Sequence, residues 1–306
     1  MKKKSATALV ILVILIFIGY IVFDIAFNDG NKQPGESSKS SSDSHDQWFV
    51  SKVLETGIGK LKAVAVSFSG NIFLGGDSFI ICYDPDYKAL WNLKTDKPVV
   101  ALSASGDSLL AATLETIFVV NSKGEIKDEW GPFEDSAIIT SVASNRSFVA
   151  FADAGNKIIM VLDKKGNVRS MIGKTGEPFI IPSPYFDVAL DDKNTLYAAN
   201  TGKRRIEIRT TEGSLLRYFG EPGLAPEAFC GCCNPAHFAL LPDGFVTAEK
   251  GINRIKILNE RGEFIEFVSS KNDFIAPIAL DVASADGKTI FAANPADSKL
   301  YVFKRK

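Results

Sequence analysis

Residues 185–220 read YFDVALDDKNTLYAANTGKRRIEIRTTEGSLLRYFG, and their pattern fixes the class of fold. An apolar stretch from Phe186 to Leu190 runs into the polar turn Asp191-Asp192-Lys193-Asn194. A second stretch, Thr195 to Asn200, ends in small residues. A third, Arg205 to Thr210, meets a charged Gly-containing turn, and Leu215 to Phe219 follows. Side chains alternate with a period of two, and β-branched and aromatic residues dominate, so the segment is four short strands and not helix.

The same pattern recurs five more times along the chain. The other copies begin at Leu61, Val99, Ile139, Ala236 and Ile278. A repeat of about 40 residues, each an antiparallel four-stranded sheet, predicts one propeller blade per copy. The expected fold is therefore all-β, a six-bladed β-propeller over residues 47–306. The last copy stops after three strands at Lys306. Its missing strand is supplied by Trp48-Phe-Val-Ser-Lys-Val-Leu-Glu55, which would close the ring and remove an open sheet edge.

The fourth copy, extended as FDVALDDKNTLYAANTGKRRIEIRTTEGSLLRYFGEPG, resembles the NHL repeat. Copies five and six resemble it less closely and the first three weakly. The resemblance implies a six-bladed propeller and covers roughly residues 48–306. NHL-type propellers include binding platforms as well as lyase- or lactonase-like enzymes, so fold leaves function open. The peptide-amidating lyases of similar fold hold zinc with several histidines. The globular part here has only His237, and that activity is not carried over.

Upstream, residues 1–28 read as a basic start and a transmembrane signal-anchor, with a cleaved signal peptide as the alternative; the apolar run is long for one and no clean small-x-small site follows it. Met1-Lys2-Lys3-Lys4 precedes an uncharged apolar run from Ala6 to Phe23. As a helix this run reaches close to the ~30 Å of a bilayer core. Lysines before it and none just after it place the rest of the chain outside the cytoplasm, at an inner or plasma membrane. Residues 29–46 are Ser-rich and polar, a flexible tether in which His45 is a solvated residue. The net charge of −1 gives no reason to expect nucleic acid as a partner. The expected partners are the membrane and a protein or small molecule on one propeller face.

Chemistry concentrates in Phe229-Cys-Gly-Cys-Cys-Asn-Pro-Ala-His237, which carries three of the four cysteines and one of the two histidines. Repeat register puts it in the loop from the fourth blade to the inner strand of the fifth, where the NHL resemblance implies a Gly-rich segment, then Phe, then Pro. Here GEPGLAPEAF is followed by CGCC and then Asn234-Pro235, so the cysteines read as an insertion in that loop. Cys230, Cys232, Cys233 and His237 form a donor set suited to a transition metal or an iron–sulfur centre. Disulfide chemistry among the three cysteines, with one thiol left over, is a second reading, and packing alone is the third. Cys82 reads as a buried thiol of a third strand.

At the start of the inner strands, Asp187, His237 and Asp281 share one repeat position, where the first three copies carry Ala63, Val100 and Ser141. These and Glu249 are the candidate ligand-binding residues. A second ring, Asp77, Thr113, Asp153, Asn200, Glu249 and Asn294, ends the second strands and reads as turn-capping, with Glu249 the exception beside the Cys loop. No Walker, GxSxG, HExxH or EF-hand pattern occurs. The expected function is a membrane-anchored, extracytoplasmic binding propeller. The alternative is a metal-binding or redox protein using Cys230, Cys232, Cys233 and His237, with a hydrolase or lactonase as a weaker third option.

Overall fold

The computed structural model describes residues 47–57, 59–106, 108–252, 254–270 and 279–306. The expected anchor and tether lie outside these residues. Among the described residues, no helix is long and apolar enough to cross a membrane.

The strands form six four-stranded antiparallel sheets. Their inner strands are Leu61–Val66, Ala101–Ser105, Ile139–Ser144, Val188–Leu190, His237–Leu241 and Asp281–Ala283. In each sheet the next two strands are the most buried. Ile72–Gly76 is buried throughout, and so is Ile158–Asp163 up to its last residue. Most fourth strands are more exposed, as in Ile126–Trp130, where only Trp130 is buried. This gradient follows from stacking. Each sheet is covered on both faces by its neighbours, so its middle strands are continuous apolar runs and its outer strand is not.

The core sits between blades. One apolar cluster joins Ile159 and Val161 of the third blade to Val188 and Leu196 of the fourth. Another joins Ile206 and Phe219 of the fourth to Phe238 and Phe245 of the fifth. A further cluster packs Leu61 and Leu74 of the first blade against Phe291 and Val302 of the sixth, which closes the ring. The chain end is completed as the repeat count requires. Trp48–Glu55 pairs antiparallel with Lys299–Arg305, from Trp48 opposite Arg305 to Glu55 opposite Lys299, with a bulge between Val50 and Lys52.

Turn glycines set the spacing between blades. Gly262 has φ +85°, and a Cβ added there would stand 2.3 Å from the Phe219 ring of the preceding blade. Gly166 meets Trp130 in the same way, at 2.8 Å. Both the backbone conformation and the close aromatic contact require glycine at these turns.

Candidate functional site

All six inner strands line a central channel whose cavity is about 210 Å³. Pairing register identifies the residues at its mouth. His237 lies opposite Ala248, Asp281 opposite Ala293, Ser141 opposite Ala152 and Ala101 opposite Ala112. The second blade therefore contributes Ala101 at this position and not Val100. The strand-start spacing expected there is off by one, because Val100 lies one residue before the pairing begins. The mouth is unequal: three blades contribute Asp187, His237 and Asp281, and the others contribute small side chains.

His237 Nδ1 lies 3.7 Å from Asp187 Oδ2 and 3.7 Å from Asp281 Oδ1. The two carboxylates are not equivalent. Asp187 is buried and its oxygens are engaged. Ser141 Oγ and the Val188 N–H donate to Oδ1, and the Phe238 N–H donates to Oδ2 at 2.7 Å. It ties the third, fourth and fifth blades together. Asp281 accepts the Val64 N–H on Oδ2 at 2.8 Å, a bond between the last blade and the first. Its Oδ1 faces the imidazole.

Burial lifts the Asp281 carboxyl to about 6, against the pull of the His237 cation. Burial lowers the His237 imidazole, but Asp187 and the Asp281 charge outweigh it, so the net shift is upward. The Tyr185 ring stands edge-on to His237, with centroids 6.2 Å apart, and the Lys250 ammonium lies over that ring, 4.5 Å from its centroid.

The Cys loop enters this mouth through a cis Asn234-Pro235 bond. Asn234 organises it. Its amide donates to the carbonyls of Cys230 (2.9 Å) and Lys250 (3.1 Å) and accepts the Lys250 N–H (2.9 Å). Arg204 Nε donates to the Gly231 carbonyl at 2.6 Å. Cys230 is buried and its thiol faces Asn234 at 3.6 Å. Cys233 is buried, Cys232 is exposed, and their sulfurs are 3.0 Å apart. Burial pushes the Cys233 thiol up. The bond to Cys233, aided by Lys250 and Arg204, holds the Cys232 thiol below its usual range.

The expected four-donor metal set is not assembled. Among the described residues, no group of three or more His, Cys, Asp or Glu side chains could hold a metal ion. The reason is the loop's own scaffold: Asn234 holds Cys230 inward, and His237 turns its Nδ1 to two aspartates. The structure therefore does not support a transition metal or iron–sulfur centre on Cys230, Cys232, Cys233 and His237. All four cysteines stand as free thiols, with Cys232 and Cys233 in contact. Cys82 lies in the third strand of the first blade, where burial raises its thiol to about 11.

Glu249 is also displaced from the expected ligand set. Its side chain is 0% exposed. Arg254 donates to both of its oxygens, at 2.7 and 3.0 Å, and Lys256 Nζ lies 3.1 Å away. The Cys230 N–H donates to Oε2 at 3.1 Å. Arg254 and Lys256 both donate to the Ala228 carbonyl as well. Lys256 is fully buried against the Phe229 ring, and desolvation lowers it to about 8 despite the carboxylate. Glu249 thus anchors the loop and has no oxygen left for a ligand.

Asp153 and Asn200 do the same for their blades, while Thr113 and Asn294 cap the turn that follows, as the sequence suggested. Asp153 accepts the Ile138 N–H and Asn200 the Ile180 N–H, each from the loop that enters their blade. The sequence suggested caps of the following turn. Asp153 does cap that turn, through the Asn156 N–H, but the bond to the incoming loop spans 15 residues and shows only in three dimensions.

No family model matches the sequence, and no curated protein matches it. Solved structures do share its fold. A streptogramin B lyase structure superposes with a TM-score of 0.61 at 12% identity, covering 87% of this chain and 100% of the other. A chain of a mitotic checkpoint complex superposes with a TM-score of 0.58 at 13% identity, covering 89% of this chain and 97% of the other. At these identities the likeness is one of architecture, and it places the chain among the β-propellers.

Proposed function

We propose that this chain is an NHL-type binding propeller, tethered to a membrane by residues 1–28 with its globular part on the outer side, and that it takes a small amine-bearing ligand at the channel mouth. The observation that carries the reading is the His237–Asp281 pair. Asp281 keeps Oδ1 turned to the imidazole, and His237 forms no hydrogen bond through Nε2 among the described residues. Asp187, fully engaged, aligns the imidazole. Two carboxylates against one imidazole leave the mouth anionic, which favours a cationic group. The cavity of about 210 Å³ limits the ligand to a small one. The uncharged run Ala6–Phe23 supports the tether.

The test is a thermal-shift series on the full chain with small amines and small carboxylates. Amines are expected to raise the melting temperature, and Asp281→Asn to remove that rise. Equal stabilisation by carboxylates, or an unchanged amine response in Asp281→Asn, would overturn the reading. Protease accessibility of the propeller in sealed spheroplasts tests the topology.

A further inference from the structure

Cys232 and Cys233 play no part in the channel site, and their geometry is that of a working dithiol. We propose that the pair is a thiol–disulfide exchange site that acts on small, exposed disulfides. Three observations carry this, and none depends on the binding function above.

First, the two sulfurs are in contact at 3.0 Å and unbonded, and a bridge between these adjacent residues, whose Cα atoms stand about 3.8 Å apart, would be strained and therefore readily exchanged. Second, the pair is unequal. Cys232 is exposed and Cys233 is buried behind it, which assigns the incoming attack to the first and the resolving step to the second. Third, Lys250 and Arg204 place positive charge beside Cys232, where a thiolate would form. The third thiol of the loop is kept out of the exchange. Cys230 is buried, and Asn234 clamps both its carbonyl and its sulfur.

The electron balance is simple. The Cys232 thiolate attacks one sulfur of the incoming disulfide. That S–S bond breaks, a mixed disulfide forms, and the first half leaves as a thiolate that takes a proton from water. Cys233 then loses its proton to solvent and attacks the Cys232 sulfur. The Cys232–Cys233 bond forms and the second half leaves as a thiol. The substrate disulfide gains two electrons and two protons, and the pair is oxidised by the same amount.

The test uses the full chain, reduced and handled without oxygen, with oxidised glutathione as the probe. Peptide masses are read after alkylation. In the wild type, Cys232 and Cys233 are expected to escape alkylation together, with the mass of two hydrogens lost, while Cys230 and Cys82 stay alkylatable. Cys233→Ser is expected to hold one glutathionyl group on Cys232. Cys232→Ser is expected to react at least about tenfold more slowly, since only the buried thiol remains. A wild-type pair that stays reduced, a first adduct on Cys230, or equal rates in the two variants would each overturn the proposal. The wild-type result decides on its own if either variant fails to fold.

Discussion

Replacing Glu249 by glutamine tests whether a buried ion cluster holds the Cys loop. The change keeps shape and removes one negative charge between two buried cations. Arg254 loses two charge-assisted bonds, each worth about 1.5–3 kcal/mol, though the amide oxygen recovers part of this. Lys256 loses its counter-ion. Its share has a ceiling, because it can shed its proton: from a value of about 8, neutralisation at neutral pH costs on the order of 1 kcal/mol. The sum is about 3 kcal/mol, in the range for stranding a buried charge. For a domain of this size that lowers the melting temperature by roughly 6–12 °C. Above the Lys256 value the ammonium is already neutral, so its share vanishes and the penalty shrinks by about 1 kcal/mol. The assay is a pair of thermal melts, one at neutral pH and one about one unit above the Lys256 value. Alkylation of Cys230 reports the loop, and it should quicken because Glu249 holds the Cys230 N–H. A shift under about 2 °C, or a penalty that does not shrink at high pH, would refute the reasoning.

Asp281 and His237 are both raised in the fold, so the native state binds more protons than the unfolded chain. Their contribution to stability is present at low pH and is lost as pH rises, for Asp281 between 3.8 and about 6. Melts across that range should show the wild type losing stability relative to Asp281→Asn as pH increases. Gly262→Ala meets both a positive φ and the Phe219 ring, and should cost roughly 2–5 kcal/mol by urea denaturation. Gly57→Ala, with φ +65° but open space around it, should cost only about 1–2 kcal/mol. Trp48→Ala removes the buried end of the closing strand and should cost about 3–5 kcal/mol. It should also expose Lys299–Arg305 to limited proteolysis. Cleavage confined to another blade would argue against closure by Trp48–Glu55.

The cysteine cluster separates what composition can show from what it cannot. Three thiols and an imidazole within eight residues look like a ligand set when only spacing is known. In the fold Cys230 and His237 turn away from the Cys232–Cys233 pair. Asn234 spends its amide on Cys230 and Lys250, Glu249 pulls the Cys230 N–H inward, and two aspartates from other blades claim His237. Glu249 itself reads as an accessible carboxylate beside the loop. Only the partners Arg254 and Lys256, on the next strand, show it to be consumed. A signal was present, since Arg254 and Lys256 alternate with Ile255 and Ile257 on a strand that should be buried. A charged alternation there implies a buried counter-ion.

The order of strands, the six blades and the closing role of Trp48–Glu55 follow from the amino-acid order alone. Strand period and turn chemistry are local, and a repeat states them six times over. The chemistry of the mouth does not follow from it. Val64 and Asp281 are 217 positions apart and Ser141 and Asp187 are 46 apart, yet these contacts decide which carboxylate is engaged and which faces the channel. One-residue register decides whether Val100 or Ala101 lies beside them. Such facts depend on ring closure and on the pairing of buried charges. Both are long-range, because a buried polar group takes whichever partner the closed structure brings within reach.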